Sequence, residues 1–208
     1  AQILPTPDSK ALPEDADAAK RLAIIYNDNI NYMDKLVGNL VAELERLKLR
    51  ENTLIVFMGD NGTAKAQADR ATINGKRLIG QKGTMEEGGA LVPFIVNWPG
   101  VTAAGKLNEN ITDASDLLPT FAEITGAPLP TDRVIDGKSL LPQLKGESTS
   151  PRAWAFIELG KSWYVREAGW KLNEKGELLD MKEAPFKETL VPADSQDPAA
   201  IAARARLT

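Results

Sequence analysis

Apolar side chains recur at helical spacing along the first quarter of the chain. Between residues 17 and 48 they return every three or four positions, which predicts one long amphipathic helix over 17–48. The polar stretch from Asn27 to Asn31 is the place where this helix would break. The apolar positions are Ile24, Ile25, Ile30, Met33, Val37, Leu40, Val41, Leu44 and Leu47.

Two short apolar runs follow the helical region. Thr53 to Met58 and Pro93 to Trp98 are rich in β-branched and aromatic residues. This composition is typical of strands that are buried on both faces, as in a parallel sheet. Residues 112–125 then return to helical spacing and stop at Gly126, which predicts a second helix.

The last third of the chain has a different pattern. Residues 127–152 are rich in proline and glycine, which indicates a connection. After it, short apolar segments separated by turn residues predict an antiparallel meander, and an alanine- and arginine-rich helix covers Asp197 to Leu207. The expected strands are Ala153 to Ile157, Trp163 to Glu167, Trp170 to Leu172 and Leu178 to Met181. The fold class is therefore α/β first, followed by a small antiparallel-sheet subdomain with a terminal helix over 153–208.

Composition excludes several classes of site and partner. The 208 residues carry a formal net charge of −4, which argues against nucleic-acid binding and polybasic membrane binding. No apolar run approaches the roughly 20 residues that a membrane-spanning helix needs. The chain has no cysteine and no histidine, so it cannot build a Ser-His-Asp triad or a thiolate metal site. Any bound metal must be held by oxygen, which favours calcium or magnesium.

The first candidate for chemistry follows the first predicted strand. In α/β sheets, ligands bind outside the carboxyl ends of strands, and Asp60 and Asn61 stand at such an end between Gly59 and Gly62. A carboxylate and an amide oxygen suit a calcium or magnesium ion. The same four residues also fit a plain Asx turn with no ligand.

The second candidate is the glycine-rich segment from Gly80 to Gly89. Glycines allow backbone N–H groups to approach an anion, and Lys82 adds a positive charge suited to sulfate or phosphate. The spacing is not that of a P-loop. A solvated loop with no ligand is equally compatible with the pattern, and Glu86 and Glu87 are expected to have structural hydrogen-bonding or ion-pair roles.

The order of the motifs, over roughly residues 22–190, resembles the C-terminal half of a sulfatase of the alkaline-phosphatase superfamily. The matching stretches are Tyr26 to Asp34, Val37-Gly38, Glu51 to Phe57, Gly59 to Gly62, Lys82-Gly83-Thr84, Glu87-Gly88-Gly89, Val92-Pro93-Phe94, Trp98-Pro99-Gly100, Asp116 to Thr120, Asp136-Gly137, Ser139-Leu140, and Trp170-Lys171-Leu172 with Glu177 to Asp180.

The resemblance implies roles for individual residues. Asp60 and Asn61 would ligate one Ca²⁺ ion, and Lys82 would contact the sulfate of a sulfate-ester substrate as a catalytic and substrate-binding residue. Asp116 and Asp136 match structural positions. It also implies that residues 17–126 are the C-terminal part of a doubly wound α/β catalytic domain with a mixed or parallel sheet and flanking helices, joined by 127–152 to the subdomain over 153–208.

The chain also departs from this family. The formylglycine nucleophile segment, an early acidic metal pair and active-site histidines are absent, and Ser150-Pro151-Arg152 lacks the Cys/Ser-x-Pro-x-Arg spacing. We therefore expect a sulfatase fragment that is inactive alone and holds an incomplete calcium site. A phosphodiesterase or phosphonate hydrolase of the same superfamily, or a non-catalytic module, is the alternative.

The fragment interpretation has consequences for partners and location. A strand deprived of its neighbours would pair with the missing N-terminal half of the enzyme or self-associate. Neither nucleic acid nor membrane is expected as a partner. Residues 1–20 are polar and show no signal-peptide pattern, so a periplasmic or secreted location is expected from the family alone.

Overall fold

The computed structural model describes residues 3–147 and 151–208. Ser150 of the Ser-Pro-Arg stretch and part of the predicted 127–152 connection therefore lie outside the described residues. The chain divides into two compact units, one that ends at Leu54 and another from Ile55 to Thr208. These units are described separately below, and the boundaries 17–126, 127–152 and 153–208 stay a prediction.

The first unit is built on one continuous helix, α1, which spans Ala18–Arg46 and confirms the predicted helix. It begins at Asp17, whose carboxylate accepts a hydrogen bond from the backbone N–H of Lys20 at 2.7 Å. The helix does not break at Asn27 to Asn31. The amide of Asn29 donates to the carbonyl of Ile25 at 2.8 Å, so this side chain bonds along the helix.

The second unit begins with two paired strands. Strand β1, Ile55–Met58, pairs antiparallel with β2, Phe94–Asn97, and Met58 lies opposite Phe94. Composition predicted strands buried on both faces, but Met58 and Ile95 are 38% and 60% exposed. The mixed α/β class is confirmed, and the pairing between these two strands is antiparallel.

Short helical segments fill the sequence between and after these strands. The polar segment after β1 contains helix α2, Lys65–Ala68, and α3, Glu87–Ala90, lies directly before β2. The predicted helix over 112–125 is a short 3-10 turn followed by α4, Leu117–Thr125, which ends at Gly126 with φ of 70°. Helix α5, Leu141–Leu144, interrupts the predicted connection.

The C-terminal meander is confirmed in residues 151–208. Its strands lie in chain order in an antiparallel sheet, with a short edge strand at 189–190 that the sequence did not predict. The strands are β3, Ala155–Leu159; β4, Ser162–Arg166; β5, Trp170–Asn173; β6, Leu178–Asp180; and β7, Thr189–Leu190.

One face of this sheet packs on the terminal helix α6, Pro198–Leu207. Leu172 and Leu178 from the strands form a buried cluster with Ala200, Ala203 and Leu207 from the helix. Side chains alternate between faces along a strand, so Tyr164 and Lys171 lie on the opposite face. That face is the one that contributes to the candidate site.

None of the helices in the described part of the chain is long and apolar enough to cross a membrane.

Candidate functional site

A cleft of about 670 Å³ in the second unit collects the predicted site residues. Asp60 and Asn61 line it from the end of β1, and Lys82 lines it from the glycine-rich segment. Tyr164 and Arg166 of β4 contribute a further wall. Two separate loops, and a strand from the other end of the chain, are thus brought to one opening.

The Asp60-Asn61 turn is fixed by backbone hydrogen bonds on both sides. The N–H of Gly59 donates to the carbonyl of Pro93 at 3.0 Å, which extends the pairing between β1 and β2. The N–H of Gly62 donates to the carbonyl of Gly89 at 3.0 Å. Because the strand has ended at Met58, neighbouring side chains are no longer forced onto opposite faces, and Asp60 is exposed.

Lys82 is held to the same turn through its backbone. Its N–H donates to the carbonyl of Thr63 at 2.8 Å, while its side chain is exposed. The glycines on either side of it, Gly80 and Gly83, have φ of 82° and 84°, which is the left-handed region that side chains disfavour. The loop therefore presents an ammonium group from a backbone that is bonded to the turn of the carboxylate-amide pair.

The two loops touch backbone to backbone, which explains the glycines at their contact. A Cβ added to Gly62 would lie 1.8 Å from the carbonyl oxygen of Gly88 in the other loop, and one added to Gly89 would lie 2.0 Å from that of Thr84 within its own loop. Both distances are far inside van der Waals contact. These positions accept no side chain without movement of the loops that carry Asp60, Asn61 and Lys82.

Glu87 has the structural role that the sequence predicted. It is 8% exposed, and its carboxylate pairs with the guanidinium of Arg166 at 3.3 Å. The ion pair joins the first residue of α3 to the last residue of β4. Glu86, its neighbour, precedes α3 as the N-cap residue.

The sequence did not identify Lys171, Glu188 and Tyr164 as parts of this region. Lys171 and Glu188 form an ion pair at 2.7 Å, with side chains 3% and 4% exposed. The ammonium group also lies 4.4 Å from the centre of the Tyr164 ring. Burial raises the pKa of Tyr164 well above its usual range, and the carboxylates of Glu87 and Glu188 raise it further, so the phenol stays neutral. The sequence signal that could have identified Lys171 is a lysine between Trp170 and Leu172 in a predicted strand.

Asp116 and Asp136 lie in structural surroundings. Asp116 is fully buried and pairs with Arg152 at 2.5 Å, and its carboxylate accepts the backbone N–H of Lys138 at 2.7 Å. The carbonyl of Asp136 accepts from the same guanidinium at 3.5 Å. Pairing with Asp116 raises the pKa of Arg152, so the guanidinium stays charged.

The donor set tests whether a calcium ion fits this cleft. Asp60 and Asn61 offer hard oxygen ligands at one turn, which is the right chemistry. Calcium takes about six to eight oxygens, and the described residues contain no group of three or more acidic, histidine or cysteine side chains placed to hold a metal. The two oxygens suit calcium in kind but are too few to form a site by themselves.

Comparison with known proteins gives a consistent family. The family model described as Sulfatase matches residues 5–127. Rat (Rattus norvegicus) steryl-sulfatase is 40% identical over 136 residues, which cover 62% of this chain and 23% of that protein. Human (Homo sapiens) arylsulfatase A is 39% identical over 132 residues, which cover 64% of this chain and 25% of that protein.

A solved structure supports the same fold over nearly the whole chain. The crystal structure of Ps i-CgsB, in complex with k-i-k-neocarrahexaose, superposes with a TM-score of 0.73 at 26% identity, covering 94% of this chain and 43% of that one. The chain therefore spans about a quarter of the length of these curated relatives and less than half of the solved one.

Proposed function

Because the chain belongs to the sulfatase family, we propose that it is part of a sulfuric ester hydrolase whose sulfate and calcium site includes Lys82, Asp60 and Asn61. Residues 17–126 would be the C-terminal part of the α/β catalytic domain, and residues 153–208 a small subdomain joined to it by 127–152. The observation that carries the proposal is the shared cleft, which is lined by all three side chains from two loops in direct backbone contact.

Lys82 would bind the sulfate group of the substrate. Its ammonium group is exposed at the cleft, where it can neutralise charge on a sulfate oxygen as the ester bond breaks. Asp60 and Asn61 would contribute two oxygen ligands to calcium. When bound, that ion would act as a Lewis acid on the same charged oxygens.

The nucleophile would come from sequence outside these 208 residues. This chain contains no cysteine and no Cys/Ser-x-Pro-x-Arg motif, and it covers only about a quarter of the length of its curated relatives. We therefore propose that an N-terminal half supplies a formylglycine, the remaining calcium ligands and the general acid. That half would cover the exposed side of β1 and β2, and the isolated chain would self-associate there instead. A periplasmic or secreted location is part of the same proposal.

The decisive experiment uses the full-length protein and an aryl sulfate. Lys82→Ala should lower kcat/KM by about 100-fold or more, since it removes one charged contact to the transition state. Lys65→Ala is the matched control, because Lys65 is an exposed lysine that pairs only at the surface with Asp69. It should retain wild-type activity. Turnover of an aryl phosphate in place of the sulfate would contradict the proposal, as would an unaffected Lys82→Ala protein.

A second experiment concerns the isolated chain. It should not hydrolyse aryl sulfates, and it should bind calcium only weakly, because two protein oxygens leave most of the coordination to water. Calorimetry with calcium chloride measures this. Sub-micromolar affinity that disappears in Asp60→Ala would show that the 208 residues hold a complete site.

A further inference from the structure

The buried Lys171–Glu188 pair holds the segment that carries Lys82. The ammonium of Lys171 donates to the carbonyl of Met85 at 2.7 Å and to the carboxylate of Glu188 at 2.7 Å. The other oxygen of that carboxylate accepts the backbone N–H of Glu87 at 2.9 Å. One ion pair between β5 and the segment before β7 thus holds two backbone groups of the site loop.

A second contact acts on the adjacent side chain. Arg166 of β4 pairs with the Glu87 carboxylate, and its guanidinium also donates to the carbonyls of Glu167 and Ala168, the latter at 2.9 Å. Met85 and Glu87 are therefore tied to two strands and to the segment before β7, through side chains that are nearly buried.

The contacts at Met85 and Glu87 lie close in sequence to Lys82, the proposed sulfate-binding residue. Lys82 lies three residues before Met85, and the turn between them is closed by the N–H of Thr84 donating to the carbonyl of Gln81 at 3.0 Å. Two residues after Glu87, the carbonyl of Gly89 accepts from Gly62 beside Asn61. Movement at residues 85–87 would therefore shift both halves of the site.

Packing alone gives no reason for a lysine at this position. A buried ammonium is costly unless it is paired and hydrogen-bonded, and a well-packed apolar residue often serves stability equally well. The ammonium group of Lys171 has three partners: a carboxylate, a backbone carbonyl and the face of the Tyr164 ring. Its contacts specify where the loop lies.

We propose that Lys171 and Glu188 are positioning residues, which set the location of the Lys82 loop from the C-terminal sheet. The consequence for sulfate-ester binding rests on the proposed function. The positioning itself does not, because it is a property of the loop and can be measured without substrate.

Hydrogen exchange measured by mass spectrometry on the full-length protein tests the positioning. In Lys171→Met and in Glu188→Gln, the amides of residues 82–89 should exchange at least tenfold faster, while those of β3 and β4 keep their wild-type rates. Lys171→Arg, which keeps the charge, should keep the loop protected, and Glu188→Gln carries the test if Lys171→Met fails to fold.

Asp116→Asn is the control for a general loss of stability. Asp116 belongs to another buried ion pair of the same unit and is bonded to Asp113, Lys138 and Arg152. It should leave exchange in 82–89 unchanged. Equal exchange in the loop of wild type and both variants, or a rise spread evenly over the unit, would overturn the proposal.

Kinetics on an aryl sulfate then separate the two proposals. If Lys82 binds the sulfate, Lys171→Met should lower kcat/KM at least tenfold, and Lys171→Arg should recover most of it. A full-length protein without any sulfatase activity would refute the proposed function, and the exchange rates would still decide the positioning role.

Discussion

Replacing Arg152 by methionine should destabilise the second unit strongly. The Arg152 side chain is 7% exposed and the Asp116 side chain 0%. Methionine keeps much of the side-chain volume but leaves the carboxylate without its cation. Breaking a buried ion pair on one side costs about 3–5 kcal/mol, because an uncompensated charge stays in the interior.

The structure places the expected loss at the lower end of this range. The Asp116 carboxylate retains two backbone donors, the N–H groups of Asp113 at 2.9 Å and Lys138 at 2.7 Å. These charge-assisted hydrogen bonds stabilise the remaining anion. We therefore expect a loss of about 3 kcal/mol in the free energy of unfolding, which lowers the urea midpoint by about 1.5 M at a slope of about 2 kcal/mol/M.

Urea titration at pH 7, followed by tryptophan fluorescence and circular dichroism, measures this loss. Trp154 is a local reporter, because its carbonyl accepts from the Arg152 guanidinium at 3.0 Å. The Asp116→Asn/Arg152→Met double variant should be at least 1 kcal/mol more stable than the sum of the single losses predicts. A midpoint shift below about 0.5 M, or additive losses, would refute the reasoning.

Four further substitutions have calculable effects. Gly89→Ala should cost about 1–3 kcal/mol in unfolding free energy, because its side chain would clash with the Thr84 carbonyl. Gly38→Ala, which has open space in α1, should instead gain up to about 1 kcal/mol. Urea titration measures both changes. Leu178→Ala, at 0% exposure under α6, should lower the free energy of unfolding by about 2–5 kcal/mol, and a loss below 1 kcal/mol would contradict the packing. Burial raises the pKa of Tyr164, so its neutral form contributes fully below the unfolded value near 10 and this contribution is lost above it. Above about pH 10, the free energy of unfolding should therefore fall by about 1.4 kcal/mol per pH unit more steeply in wild type than in Tyr164→Phe. Parallel pH profiles of the two proteins would contradict this.

Local patterns were sufficient to predict most elements of the fold. The helical spacing of apolar residues fixed α1, and turn residues between short apolar segments fixed the meander, because both signals are local. The antiparallel pairing of β1 with β2 was not predictable in this way. Composition reports how apolar a strand is, whereas pairing direction depends on the path of the chain between Met58 and Phe94.

The residues of the candidate site also differ in whether local sequence patterns could identify them. Asp60, Asn61 and Lys82 stand in motifs that can be read from neighbouring residues, and the structure places them around one cleft. The contacts of Lys171 reach 86 residues back to Met85, and those of Glu188 reach 101 residues back to Glu87. No periodicity links such positions. The sequence signal for this pair was a lysine between two apolar residues of a predicted strand.

The backbone contact between the loops at Gly62, Gly88 and Gly89 has a consequence for how this protein can change over evolution. Gly62 faces the carbonyl oxygen of Gly88 in the other loop, while Gly88 and Gly89 face those of Gly80 and Thr84 in their own loop, so a side chain at any of the three forces the backbone to move. Gly38 of α1, by contrast, faces open space and carries no such restriction. Variants with an altered cleft should therefore arise by replacing side chains around its rim, while the loop junction beneath is inherited unchanged.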